Sequence, residues 1–551
     1  MELVKRYEAF APKKTVYTAF YCLYLLIFAV TAVFHEPWLD EAQGWMIARD
    51  ASYHDMLFLL PHYEGHPPLW WLILSVPAKL GVPYELSLGA VTFVIYALTA
   101  CIIMFRSKLP PCIRLIVPFC YYTFYEYGVV ARPYGMYFLG FMLMALFYNE
   151  RNEKPFRFVL SCMLACASTA YGLVFCGGLS ALWCVKIIIE YKKDILKFIG
   201  TRRFWALALL LGVALLEMAL VFPYADTFTV DNEPMTAARF VNSFVYLFFM
   251  LPADALLIGA GGGLGTLLKY NPFPLDQVFM LGGLSLLIWV PLISICKKGK
   301  KLPELFTAYP FFALFCTFVY FMPHHEGTVV AFFVFLLWIS SEKEENVPVS
   351  DGTDIKSMLP AVSGAVLSLV FVLNAMWSLL AVATDIPKDY YYGKAAAKYL
   401  KDEGLSELNV MSAWYDEADE WSGRIVSTKK QHYAVTIVPY FDRNIFFNFN
   451  SGKEGYILHI MNDDVNNADF AEWKNTVPDV LVGEPQIKEI YGNVSNGDYI
   501  LIKTIPYDKV SKLSHATNFL SIYLRKDLFD DFPDIHPQNE MDMEFLEQKG
   551  N

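Results

Sequence analysis

Charge is what this chain has least of. Asp, Glu, Lys and Arg make up 18% of its 551 residues, against 56% hydrophobic and 16% aromatic. A soluble globular domain carries about 25% charged residues. The deficit falls in long apolar runs, which excludes an ordinary soluble chain and predicts a polytopic membrane protein. A basic stripe is also missing. With 44 basic and 55 acidic residues the net charge is −11, and much of the acidity lies in the C-terminal third, including "DLFDDFPDIHPQNEMDMEFLEQ". Nucleic acid is therefore not an expected partner. All ten cysteines lie between Cys22 and Cys316, nearly all inside apolar runs and without zinc spacing. They read as small hydrophobes, and the cysteine-free segment from Asp385 onward has no disulfide framework. No G-x-G-x-x-G or P-loop occurs. "GAGGGLG" at 259–265 lacks a preceding strand and a following Lys-Ser/Thr, so it makes no nucleotide cradle. There is no internal repeat.

What the chain does have is a series of apolar runs. "MELVKRYEAFAPKK" is basic, and the run from Thr15 to Phe34 is long enough to span and ends without a small-residue cleavage site. It is expected to be a retained first helix with its N-terminus in the cytoplasm. A polar and aromatic loop, 35–68, follows. Further runs occupy roughly 69–80, 86–105, 111–127, 132–148, 156–173, 174–190, 204–222, 242–260, 274–296, 303–321, 327–341 and 358–383. Basic clusters at "RSK" (106), "NERNEKPFR" (149), "EYKKDILKFIGTRR" (190) and "KKGKK" (297) are expected to be cytoplasmic. The connections around Arg132, at 223–241 and at His324-His325 then face outward. Run 69–80 is too short for a bilayer that needs about 20 residues, so an interfacial or re-entrant helix is expected. Run 242–260, broken by Pro252, Asp254 and glycines, is expected not to cross. The count is about 11 spans, in the range of roughly 10 to 13.

Two domains are expected: a membrane domain over 1–384, with its first outer loop at 35–68, and an exported domain over 385–551 with an acidic tail. In the second, "KAAAKYLKDEG" reads as a short amphipathic helix ending in glycine. "LNVMSAW", "AVTIVPY", "IFFNF", "GYILHI", "DVLVG" and "YILIK" read as strands. The fold class expected is thus a polytopic α-helical membrane protein with a C-terminal extracytoplasmic α/β domain. Asn493-Val-Ser is formally a glycosylation sequon.

The residues that can do chemistry lie in the outward loops. Asp40 and Glu41 follow the first span within aromatic residues (Phe34, Trp38, Trp45), where apolar surroundings favour a carboxylate that takes up a proton. The same loop carries "HYEGHPPLWW". Pro67, Pro68, Trp70 and Trp71 are explained as a stiff entry into an interfacial helix. Glu64 and His66 are not, and such a histidine can bind phosphate, orient a carboxylate or ligate a metal. "YEYGVVARPYGMYF" places Arg132 and Tyr134 between apolar runs, where a charge usually faces a cavity. "FMPHHEGTVVAFF" places His324 and His325 at another span start. If these segments converge, one outward cavity can bind an anionic head group and move a proton.

The Asp-Glu pair in the first outer loop, "HPPL" opening the next helix and "R-P-Y" after a later span resemble GT-C membrane glycosyltransferases. The nearest branch is that of the protein O-mannosyltransferases and their family 39-like bacterial relatives, including lipopolysaccharide glycosyltransferases. "HHEG" at 324–327 is similar to an "R-H-x-G" of those relatives, with His324 in place of the arginine. The resemblance covers residues 1–383. It implies a GT-C-like fold in a cell membrane, with a bacterial cytoplasmic membrane as the expected location. A sugar would pass, with inversion, from a polyprenyl-phosphate donor to an extracytoplasmic glycan, lipid or protein acceptor. Asp40 would be the general base and Glu41 would position it or the sugar. Arg132 and His325 would neutralise the leaving phosphate, with His66, Glu64, Tyr134 and His324 as further donor-binding residues. No cofactor is required by the resemblance. A divalent ion such as Mg or Mn has Asp40, Glu41 and His66 as its possible ligands.

Two other readings compete. A transporter or flippase of a lipid-linked or envelope substrate suits the broken run at 242–265, but it needs charges near the midplane. A membrane scaffold would use the exported domain to bind a surface polymer.

Overall fold

The computed structural model describes residues 7, 9–225, 235–259, 273–341, 355–412, 432–448, 476–483 and 499–538. The membrane domain is helical: α1 Lys14–Phe34, α2 Leu39–Asp50, α3 Leu69–Lys79, α4 Tyr84–Arg106, α5 Tyr134–Phe147, α6 Pro155–Cys166, α7 Ala170–Tyr191, α8 Arg202–Val221, α9 Leu251–Leu256, α10 Leu275–Lys298, α11 Leu302–Phe318, α12 Glu326–Ser341 and α13 Ile355–Asp385. Its apolar runs become helices because lipid offers no hydrogen bonds, so each backbone group must be satisfied within its own segment. Prolines and threonines set several starts. Pro155 opens α6, while the Thr169 and Thr201 hydroxyls accept from Tyr171 N and Phe204 N at α7 and α8.

Six helices among the described residues are long and apolar enough to cross a membrane: α1, α4, α7, α8, α10 and the Leu359–Asp385 part of α13. The helices α3, α5, α6 and α11 are apolar but shorter. Length and composition thus support a polytopic membrane protein, and an expectation of about 11 spans rests on the shorter helices. The run at 69–80 forms the short α3; at about 1.5 Å per residue its 11 residues fall well short of a bilayer. It packs on α2, where Gly44 leaves room for the Trp70 indole. Run 242–260 is broken as expected. A helix over Ala237–Val245 passes into a π-helical turn, Tyr246–Met250, and then into α9, which opens with Pro252 near its start. Close helix packing relies on small residues. A Cβ on Gly140 would sit 3.0 Å from Ala165 N, joining α5 to α6, and one on Gly178 would sit 2.8 Å from Ala308 Cα, joining α7 to α11.

The C-terminal region carries α14 Gly393–Asp402, which ends before Gly404 in the left-handed region (φ 71°), and α15 His432–Ile437. Its described strands are β1 Val410–Ser412, β2 Val480–Gly483, β3 Tyr499–Ser511 and β4 Ser514–Arg525, in the order β1-β2-β4-β3. The β1–β2 pair is parallel and the others antiparallel. Three of the expected strands are present in whole or part. "AVTIVPY" is instead α15 followed by a 3₁₀ turn, Val438–Tyr440. Its β-branched residues lie 0–2% exposed, so burial rather than intrinsic strand preference decided its form. Of "IFFNF", only Phe446 makes a bridge, to Val410. The long β4, exposed over its first half and buried over its second, is not among the expected strands. "GYILHI", most of "GAGGGLG", residues 226–234 of the 223–241 connection and the Asn493 sequon lie outside the described residues.

This region docks on the 35–68 loop and on the start of α4. Tyr390 N donates to Glu36 at 2.8 Å, Arg49 donates to the Phe441 carbonyl at 3.0 Å, and Lys394 and the Tyr440 hydroxyl reach Glu85 at 2.9 and 2.7 Å. The tip of the β3–β4 hairpin goes further, in among the helices. Lys512, left-handed at φ 55° and 2% exposed, lies 2.8 Å from Glu326 and 3.1 Å from Asp254.

Candidate active site at the ends of the spans

The adjacent carboxylates Asp40 and Glu41 occupy the first turn of α2, where the helix dipole favours negative charge. Successive helical residues point about 100° apart, so the two cannot share one environment. Glu41 turns inward and is fully buried. One of its oxygens accepts from Trp38 N at 3.0 Å and faces His35 Nε2 at 3.1 Å; the other accepts from Ala131 N at 2.6 Å. Glu41 is thus bound into the framework. It tethers the start of α2 to the loop that carries Arg132.

Asp40 turns outward. Its side chain is 34% exposed and Oδ2 lies 2.6 Å from Arg132 Nη2. Arg132 stands between the π-helical segment Tyr122–Val129 and α5, which Pro133 opens. It is 6% exposed and lies over Tyr134 at 5.0 Å and Trp38 at 5.6 Å. Its other terminal nitrogen, Nη1, is buried and has no hydrogen-bond partner among the described residues. An arginine fork with one arm on a carboxylate and the other unpaired is a ready anion ligand.

The second part of the loop is brought alongside. The short helix Leu60–Glu64 ends at Gly65, whose φ of 64° is the left-handed conformation that lets the chain turn back at a helix end. Pro67 and Pro68 then lead into α3. This turn sets His66 6.2 Å from the Tyr134 ring, its Nδ1 buried without a partner among the described residues. Glu64 accepts from Gln43 at 2.9 Å. Burial, reinforced by the nearby charge of Asp40, pushes the Glu64 carboxyl up to about 8. It is therefore a protonated donor at neutral pH. Burial and the Arg132 charge hold His66 down to about 4, against the pull of Asp40.

The 323–325 turn closes the other side. His324 lies 6.4 Å from the Tyr134 ring and 4.0 Å from His325. His325 is 3% exposed, and its Nδ1 accepts from Met322 N at 2.9 Å and sits 2.9 Å from the Tyr171 hydroxyl. The backbone donor fixes Nδ1 as an acceptor, so the neutral ring carries its hydrogen on Nε2. Burial and Arg132 hold His324 down to about 3; burial, His324 and Arg132 hold His325 well below its ordinary range. Both histidines are thus held toward the neutral form beside the charged Arg132.

The structure gathers Asp40, Glu64, His66, Arg132, Tyr134, His324 and His325 into one cluster; Asp40 is near enough for its charge to act on Glu64, His66, Arg132, Tyr134 and His324. Among the described residues no three His, Cys, Asp or Glu side chains group as metal ligands. The possible set Asp40, Glu41 and His66 does not assemble, because both oxygens of Glu41 face the framework.

Two features were not legible in the residues. His35 bridges Glu41 and Asp385 (Nδ1 to Oδ2, 2.9 Å), and the Tyr125 hydroxyl adds a bond to Asp385 at 2.9 Å. Burial works against the charged imidazole, yet Asp385 and Glu41 outweigh it and raise His35 well above its ordinary range. The end of α13 is thereby locked to the site loop. The second is Lys509 of β3, whose ammonium lies 4.4 Å over the Trp38 ring. Nothing in "YDKVSKLS" marks it, since its role depends on where the hairpin docks.

No family model and no curated protein sequence matches the chain. Among solved structures it is similar to the arabinofuranosyltransferase AftD from mycobacteria, at 11% identity and a TM-score of 0.36 over 94% of this chain; the chain spans 40% of that protein's length.

Proposed function

We propose that the protein is an integral membrane glycosyltransferase of the GT-C type. It transfers a sugar from a polyprenyl-phosphate donor to an acceptor from the extracytoplasmic side, with inversion. The observation that carries this reading is the Asp40–Arg132 pair at 2.6 Å, half-exposed on the carboxylate side and buried with an unpaired Nη1 on the guanidinium side. A proton acceptor and an anion ligand stand together, at the ends of apolar helices where a lipid-borne donor and an aqueous acceptor can meet.

In this reading the acceptor hydroxyl attacks the anomeric carbon from the face opposite the phosphate. The new C–O bond forms as the sugar–phosphate bond breaks; the hydroxyl proton goes to Asp40 and the electron pair leaves with the polyprenyl phosphate. Arg132 takes up the charge that develops on that phosphate. Glu64, protonated, and neutral His66 and His324 supply hydrogen bonds to donor oxygens, and Trp38 and Tyr134 offer ring faces to a sugar. A phosphate is already a good leaving group, so a base and a cation matter more than a general acid. The acidic and cationic groups lie at helix ends rather than mid-span, which favours transfer over transport.

The test is to incubate the purified protein in lipid nanodiscs with a panel of radiolabelled polyprenyl-phosphate sugars and follow their consumption. Sugar release or transfer that stops in Asp40→Asn supports the reading; a panel left untouched by the wild type counts against it.

A further inference from the structure

Among the described residues, the β3–β4 hairpin carries a lysine of the C-terminal region to the cluster. Its position there is over-determined. At the tip, the Lys512 ammonium is bound by Glu326 Oε2 (2.8 Å), Asp254 Oδ1 (3.1 Å) and the Asp254 carbonyl (2.7 Å). Glu326 also accepts from the Tyr122 hydroxyl at 2.8 Å, and Asp254 from the Tyr246 hydroxyl at 2.8 Å. Next to it, Leu513 N donates to the Gly259 carbonyl at 3.0 Å. On the near side, Asp508 N donates to the Asp389 carbonyl at 2.9 Å, and Asp508 pairs with Lys388 at 2.8 Å. Between these fixed points lies Lys509, exposed on β3, with its ammonium 4.4 Å from the Trp38 ring. Arg132 lies 5.6 Å from the same ring. Two cations therefore share one indole, and Lys509 is near enough to Asp40, Arg132, Glu126 and His324 for their charges to interact.

Charge balance gives this placement a consequence. The phosphodiester of a polyprenyl-phosphate sugar carries about one negative charge, and the departing monoester carries about 1.5 to 2 near neutral pH. Arg132 is already offset by Asp40. A site with that pair alone is neutral before the donor arrives, and has nothing in reserve for the charge that grows as the bond breaks. Glu126 also faces Arg132 and Lys509, so Lys509 is the second cation that keeps the site from being net negative before a phosphate binds.

Resting on the function proposed above, we infer that Lys509 is a phosphate-contacting residue of the active site, delivered by the C-terminal domain, with the buried Lys512–Asp254–Glu326 triad as the lock that sets its height. The domain is then part of the donor site as well as a platform over it. Lys509 and Arg132 then both meet the phosphate beside Trp38.

The experiment uses the full chain in nanodiscs and tritiated undecaprenyl phosphate as the probe, with undecaprenol as the tail-only control. The variants are Lys509→Met, Lys509→Arg and Arg132→Gln. Wild type is expected to bind the phosphate more tightly than the alcohol. Lys509→Met and Arg132→Gln should each weaken phosphate binding about tenfold, the loss of one charge-assisted contact. Lys509→Arg should stay within about threefold of wild type, since the charge is kept. Undecaprenol binding and the melting temperature should be unchanged in Lys509→Met, whose side chain is exposed. If Arg132→Gln weakens binding while Lys509→Met stays within about twofold of wild type, this inference fails and the donor reading stands. If Lys509→Met leaves phosphate binding intact and only raises the acceptor KM, the inference fails as well. If the wild type does not prefer the phosphate to the alcohol, the donor reading fails and takes this inference with it.

Discussion

Replacing Asp40 by Asn separates proton transfer from everything else the pair does. The amide has nearly the same shape and keeps an oxygen for Arg132 Nη2, so the contact now at 2.6 Å survives as a neutral hydrogen bond. The side chain is 34% exposed, so the ion pair is partly screened, and the stability change should be under about 1 kcal/mol. What the amide cannot do is take the acceptor proton. General-base catalysis contributes about 10²- to 10⁴-fold, or roughly 2.7 to 5.5 kcal/mol of barrier. The expected outcome is therefore a kcat lowered by about 100-fold or more, with the donor KM unchanged or lower because Arg132 is no longer neutralised by a carboxylate. Initial rates over a donor concentration series in nanodiscs, with the melting temperature measured on the same preparations, give both numbers. A variant that keeps more than about a tenth of wild-type kcat, or one whose loss appears mainly in KM, would refute the assignment of Asp40 as the base.

Three further outcomes are expected. Arg132→Lys keeps a charge but loses the fork that holds Asp40 with one arm and leaves the other for a ligand, so the donor KM should rise about tenfold with only partial retention of rate. Glu64 supplies a pH test. Its carboxyl is raised to about 8 in the folded chain from an ordinary value of 4.5. The stability tied to this group is then fully present below about pH 4.5 and is lost as pH rises through about 8. Glu64→Gln should accordingly lower the loss in melting temperature between about pH 5 and pH 9, and an identical loss in both proteins would contradict it. Lys512→Met strands two buried carboxylates and should cost about 3 to 5 kcal/mol, read as a large fall in melting temperature. Adding Asp254→Asn and Glu326→Gln should recover a substantial part of that fall, and no recovery would show that the triad is not coupled.

The residues carried much of the helical plan. Apolar runs became helices close to their expected limits: Thr15 to Phe34 against Lys14–Phe34, and 274–296 against Leu275–Lys298. Such runs have one solution in lipid, so local composition suffices. The break at 242–260 was legible for the same reason, since Pro252 removes a backbone donor and Asp254 resists an apolar span. The C-terminal strands were less legible. "AVTIVPY" has strand residues, yet it is helical where it packs between α14 and α2. In the cluster, Arg132, His66 and His324 stood out as polar groups between apolar runs. Sequence could not divide the labour between Asp40 and Glu41, because adjacency says nothing about which side of α2 meets protein and which meets solvent.

By itself, then, the sequence determined where the chain is apolar enough for helices to cross lipid, and which loops hold acids, histidines and an arginine. Those are properties of single segments, set by the cost of putting backbone and charge where water is absent. Only the tertiary structure decided that Glu41 is enclosed while Asp40 reaches Arg132, that the histidines stay neutral, and that Lys509 comes over Trp38. Each of these depends on contacts between residues tens to hundreds of positions apart. Burial and neighbouring charge, which fix protonation and reach, exist only once those segments have met.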